Sequence, residues 1–118
     1  METRTEYSVG NVPPKSIEAF YNRRCALPFN HPDYQKPSPE EVDALIKIMG
    51  WSQRQVANLV GIACNDRGSS TVRKWKTKAD LDDYRPIPYS AWRLLLIYAG
   101  VVTADSGLDA IDKSRLES

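Results

Sequence analysis

One histidine, His31, and two cysteines, Cys25 and Cys64, are all that this 118-residue chain offers a soft metal. A zinc-type site needs three or four converging ligands, so no metal is expected. The cysteines lie far apart and form no C-x-x-C pair, and they read as two reduced, partly buried thiols. His31-Pro32-Asp33 reads as a surface turn. The chain has no G-x-x-x-x-G-K-[ST], no G-x-G-x-x-G and no H-E-x-x-H. No flanking pattern pairs a cysteine with His31 as nucleophile and base. The expectation is therefore no enzyme, no catalytic residue, no cofactor and no small-molecule substrate. No apolar run approaches the roughly 18 residues that span a bilayer. The opening Met-Glu-Thr-Arg-Thr-Glu-Tyr is polar and acidic, unlike a secretory leader. A cytoplasmic protein without a membrane partner is expected. No internal repeat and no convincing strand stand out.

What is present is ordinary in bulk and uneven in detail. Hydrophobic residues at 42% and charged residues at 26% suit one globular domain. Net charge is only +1, but it is not spread evenly. Residues 50–79 carry Arg54, Arg67, Arg73, Lys74, Lys76 and Lys78 against Asp66 alone. The segments on either side are net acidic. A positive stretch of this kind is either a solvated face or the electrostatic footprint of a polyanion partner.

Helix signals recur along the chain. Ile17, Phe20, Tyr21 and Arg24 fall at i, i+3, i+4, i+7 and predict a short helix. Residues 28–37 hold three prolines and read as an extended connector. Ser38-Pro39-Glu40-Glu41 is a capping box with proline at the first helical position, and Val42, Leu45, Ile46 and Met49 follow as an apolar stripe. Gly50 ends that helix. Ser52 and Gln55 form a second capping box, and Gly61 ends a helix of about two turns. Residues 62–68 form a loop, after which Ser69-Ser70 cap a third helix through Trp75. Tyr89–Ala99 predicts a very apolar helix closed by Gly100, with Trp92, Leu95, Leu96 and Ala99 on its inner face and Leu94, Ile97 and Tyr98 off it. From Thr103 onward a weak helix around Leu108–Ile111 is expected.

Two short helices joined by a turn, the second cationic outside, make the arrangement that enters a DNA major groove. The helices must touch through small or apolar residues, here Ala57, Val60, Ile62, Val72 and Trp75. The opposite face must be polar and cationic, and Ser70, Arg73 and Lys74 supply it. Trp75 and Trp92 are expected in the core, with Trp51 packing beside the second cap.

The residues Trp51-Ser52-Gln53-Arg54-Gln55-Val56-Ala57-Asn58-Leu59-Val60-Gly61-Ile62, then Ser70-Thr71-Val72-Arg73-Lys74-Trp75, resemble the Cro/cI-type repressors, also called lambda-repressor-like or XRE-type regulators. The shared pattern is Ser-Gln, Ala four residues after Gln, Gly four after that Ala, then Ser-Thr-Val-x-x-Trp. The resemblance covers roughly residues 38–100. It implies an all-α helix-turn-helix bundle of about five helices. It also implies binding to double-stranded DNA as a homodimer, and transcriptional repression of the phage or mobile-element kind. By position, Gln53 and Arg54 would meet phosphates or the outermost base, and Ser69, Ser70, Arg73 and Lys74 would face the groove. Thr71 and Lys76 complete the DNA-binding set. The turn departs from the family, with Ala63-Cys64-Asn65-Asp66-Arg67 resembling an insertion. It either adds an Arg67 contact to phosphate or displaces the recognition helix.

The domain expectation is an N-terminal arm over 1–37, the helix-turn-helix domain over 38–102 and a polar tail over 103–118. The rival is a protein-interaction module on the same scaffold, antitoxin-like or a phage inhibitor of a host system. The outer face of residues 67–78 separates the two. An open basic face favours DNA, and a face covered by residues 80–83 or 63–68 favours a protein partner.

Overall fold

The computed structural model describes residues 12–116, with side chains as far as Ile111. The first eleven residues of the expected arm and the last two of the tail lie outside the described residues. Helices run over Ile17–Phe20 (α1), Pro39–Met49 (α2), Gln53–Val60 (α3), Ser70–Trp75 (α4), Tyr89–Ala99 (α5) and Ala104–Leu116 (α6), and Arg24–Ala26 form one 3-10 turn. The described chain is all-α, with one isolated bridge between Asn65 and Gly68.

Local chemistry sets the middle helices. At α2 the Ser38 hydroxyl accepts the Glu41 N–H at 3.1 Å, and Glu41 Oε1 accepts the Ser38 N–H at 2.9 Å. At α3 Ser52 and Gln55 exchange the same bonds at 3.1 and 2.8 Å. Each box satisfies two N–H groups that a helix start leaves without partners. Gly50 and Gly61 close these helices at φ 71° and 82°, a backbone region that L side chains avoid.

The core gathers Phe20, Leu45, Val56, Val72, Trp92, Leu95 and Leu96, all fully or almost fully buried. Helix α5 is its centre and packs against both α2 and α3. Segment 12–37 joins the same core. Phe20 meets Trp92 with ring centroids 6.2 Å apart, and the Trp92 indole N–H donates to the Cys25 carbonyl at 2.9 Å. Arg23 reaches α2 through a 3.1 Å ion pair with Glu41, and the Cys25 Sγ lies 3.5 Å from the same carboxylate. Burial, and then Glu41, push the Cys25 thiol well above its ordinary range.

Several sequence expectations need correction. The first helix stops at Phe20, and the chain turns before Arg24 so that Phe20 and Cys25 both reach the core; Tyr21 is left exposed. Residues 28–34 are two consecutive turns, closed by His31 N–H to the Pro28 carbonyl and Tyr34 N–H to the His31 carbonyl. The third-helix cap is Ser69, with Ser70 already helical. Cys64 is exposed, and only Cys25 is buried. The weak helix expected at 108–111 is part of α6, which covers Ala104–Leu116 and starts where the Thr103 hydroxyl accepts the Ser106 N–H at 3.1 Å.

The chain also contains a repeat. Residues 24–50 and 74–100 carry the same succession of turns and helix, although 24–26 form a 3-10 turn where 74–75 are α-helical. Gln35 N–H donates to the Arg24 carbonyl at 3.4 Å, and Arg85 N–H to that of Lys74 at 3.2 Å. The turns at Pro28–His31–Tyr34 recur at Lys78–Leu81–Tyr84 with bonds of 3.0 and 3.1 Å in each. Helices α2 and α5 have 11 residues each and end alike, on Gly50 and Gly100, with Trp51 N–H returning to Ile46 and Val101 N–H to Leu96. Cys25 and Trp75, Pro37 and Ile87, and Leu45 and Leu95 are buried pairwise. Identity survives only at Asp33/Asp83, Tyr34/Tyr84, Leu45/Leu95 and Gly50/Gly100.

Candidate nucleic-acid interface

Helices α3 and α4 pack on each other, and the hairpin over residues 62–68 stands between them. The inserted residues are folded tightly. Asn65 and Gly68 exchange backbone bonds of 2.8 and 3.0 Å, and the Asn65 side-chain carbonyl accepts the Arg67 N–H at 2.8 Å. The second half of the hairpin is held against α3. Gln53 Oε1 accepts the Ser69 N–H at 2.9 Å, and Gly68 lies directly beneath the Gln53 side chain at φ 133°. A Cβ at Gly68 would fall on Gln53 Oε1. Gln53 thereby fixes where α4 begins.

On α4, Val72 and Trp75 are buried, while Ser70, Thr71 and Arg73 are exposed and Lys74 is half-buried. The six-residue helix therefore has a clean inner and outer side. A hollow of about 520 Å³ opens between hairpin and helix, lined by Gln53, Cys64, Arg67, Ser70 and Arg73. It brings together four residues singled out from sequence, namely Gln53, Arg67, Ser70 and Arg73. Arg54 is exposed on α3.

Ser69 and Lys76 are placed differently from the rest. Ser69 is 3% exposed, and its hydroxyl accepts the Val72 N–H as the α4 cap. Lys76 is 23% exposed and lies 3.6 Å from Asp43 of α2, which also holds Lys47 at 2.9 Å. Lys76 thus bridges α4 to α2, and its charge is partly matched.

The acidic loop does reach the outer face. Asp83 Oδ2 stands 3.6 Å from Arg73 Nη1, with the arginine side chain still 49% exposed. Ser70, Thr71 and the hairpin residue Arg67 stay exposed. The face is therefore neither wholly open nor covered. The sequence marks residues 80–83 as a cover for this face, but no signal in it singles out Asp83 as the partner of Arg73.

Among the described residues, no helix is long and apolar enough to cross a membrane. No family model matches the chain, and no solved structure does. Two curated proteins of Escherichia coli, both named transcriptional repressor protein KorC, do match. One is 34% identical over 68 residues, 58% of this chain and 72% of that protein. The other is 30% identical over 66 residues, 56% of this chain and 69% of that protein. Neither name is that of an enzyme. A third of the aligned residues shared, across more than two thirds of each relative, places the chain in the family of the transcriptional repressor protein KorC.

Proposed function

We propose that this chain is a transcriptional repressor that binds double-stranded DNA as a homodimer, with α3 and α4 as a lambda-repressor-like helix-turn-helix. The observation that carries the reading is the sidedness of α4. Val72 and Trp75 anchor it, Gln53 sets its start, and Ser70, Thr71, Arg73 and Lys74 lie on the side away from the core. These four read base edges in the major groove. Arg54, the Gln53 amide and Arg67 of the hairpin meet phosphates, and so make affinity fall with salt. Ser69 acts through its cap, and Lys76 by tying α4 to α2. The repressor names of both relatives agree with this reading.

A single six-residue helix reads only a few base pairs. A bidentate arginine–guanine contact discriminates by about 1–3 kcal/mol. Operator selectivity therefore requires two copies on a two-fold site. In this reading residues 38–102 carry the DNA-binding helices, the segment before them is an arm whose described part packs into their core, the segment after them is a tail, and the protein works in the cytoplasm.

The test is a fluorescence-anisotropy titration with DNA from upstream of the chain's own gene, beside scrambled DNA, at several salt concentrations. The expected result is salt-sensitive binding that prefers the upstream sequence and collapses in Arg73→Ala/Lys74→Ala. Absence of binding at low salt by a folded protein overturns the reading and turns attention to a protein partner.

A further inference from the structure

The loop that leaves α4 comes back to the outer side of the same helix. Its last turn ends at Arg85, whose N–H donates to the Lys74 carbonyl, so the loop is tied to the end of α4. The Arg85 guanidinium then donates to the carbonyls of Asp82 and Tyr84 at 2.9 and 2.7 Å. Asp83 is thus held from both sides. On that frame its carboxylate stands 3.6 Å from the Arg73 guanidinium. The repeated unit builds the same pair of turns around Asp33, and among the described residues the ion pair of nearby Arg23 is with Glu41. The turns therefore do not depend on an arginine bound to the aspartate.

An ion pair this exposed contributes little to folding. Its consequence lies elsewhere. A free arginine side chain loses rotamer freedom when it docks on a base. A guanidinium steadied by a carboxylate on one nitrogen keeps its other N–H groups for O6 and N7 of a guanine. The same carboxylate cancels one positive charge and repels phosphates, which weakens binding that depends on the backbone alone.

We propose that Asp83 is a positioning residue that holds Arg73 for one guanine, and that it raises sequence selectivity at the expense of general DNA affinity. This rests on the reading of α4 as the recognition helix. The test compares the wild type, Asp83→Asn and Arg73→Ala in two experiments. One is selection from a random-sequence duplex library followed by sequencing. The other is anisotropy on a mixed-sequence duplex across a salt series. Thermal melting followed by circular dichroism accompanies both.

Asp83→Asn is expected to melt like the wild type. It should bind the mixed duplex at least about twofold tighter at low salt, with a salt slope steeper by up to about 0.9. It should also lose about fivefold or more of the preference at one base pair per half-site, out of the roughly 5- to 150-fold that a bidentate contact supplies. Arg73→Ala should lose preference at that same base pair. An Asp83→Asn protein that keeps the full preference, or binds the mixed duplex more weakly, overturns the proposal. A wild type that binds no duplex overturns the DNA reading itself, a distinct result.

Discussion

Replacing Gly68 by alanine tests how the inserted hairpin is joined to the helix pair. Two costs follow from the structure. The first is conformational, since φ is 133° at Gly68 and a residue with a Cβ is strained there by about 1–3 kcal/mol. The second is steric. The new Cβ falls on Gln53 Oε1, and the Gln53 side chain must swing away. That breaks the 2.9 Å bond from the Ser69 N–H, worth about 0.5–1.5 kcal/mol. The sum is about 1.5–4.5 kcal/mol, or on the order of 10 °C in melting temperature for a domain of this size. The measurement is urea unfolding followed by circular dichroism, on Gly68→Ala, Gln53→Ala and the double variant. Both single variants lose the same hydrogen bond, so the double variant should be more stable than additivity predicts, by about 1 kcal/mol. Strict additivity, or a neutral Gly68→Ala, would refute the contact between Gly68 and Gln53 as the device that sets α4.

Four further outcomes are expected. Trp92→Phe removes the donor to the buried Cys25 carbonyl and leaves a gap beside Phe20, and should cost about 2–4 kcal/mol in urea unfolding. Ser52→Ala removes a cap hydroxyl from α3 and should cost about 1 kcal/mol by the same assay, with Ser52→Gly milder. With a thiol reagent at pH 8, exposed Cys64 should react at once and buried Cys25 only on unfolding. The folded Cys25 pKa is raised, so the unfolded chain releases that proton first as pH rises. The Cys25 contribution should therefore be constant below about pH 8.5 and fall above it by up to about 1.4 kcal/mol per pH unit, a limb that Cys25→Ala flattens.

Features written over three or four residues were legible in the sequence. The Ser38–Glu41 and Ser52–Gln55 boxes and the glycines at 50, 61 and 100 each depend on neighbours within one turn, and all appear where their spacing puts them. Tertiary choices were not legible. The periodicity through Arg24 ignores the need of Phe20 and Cys25 to face one core, and the chain breaks its helix to meet it. Ser69 and Ser70 are both good caps, and only the Gln53 bond to the Ser69 N–H decides between them. The cationic segment looked uniform because its partners lie elsewhere, Asp43 on α2 for Lys76 and Asp83 beyond a loop for Arg73. Most of all, the repeat hides in backbone turns that many sequences satisfy, with only four identities between the units.

Arg23 and Arg73, each just ahead of a repeated unit, differ in both backbone and partner. Arg23 stands one residue before the repeated path and is extended, at φ −87° and ψ 145°, whereas Arg73 lies inside helix α4. In the first unit Glu41 of α2 draws Arg23 inward, and their side chains are only 18% and 14% exposed. The carboxylate is itself fixed, because its other oxygen closes the α2 capping box. In the second unit the position of Glu41 is taken by Ala91, and α5 starts on Pro88 without a side-chain cap. Arg73 therefore has no carboxylate on the following helix to fold against. It stays half exposed, and its partner is Asp83 on the loop. Backbone direction and the absence of a facing carboxylate together separate a buried clamp from an outward-facing cation. Placing glutamate at 91 tests whether a carboxylate on α5 is enough to draw Arg73 inward. In Ala91→Glu, Arg73 should turn inward and binding to DNA should weaken about as much as in Arg73→Ala, with the fold retained. An Ala91→Glu protein that stays folded and binds DNA like the wild type would show that the direction of the helical backbone, and not the missing carboxylate, keeps Arg73 outside.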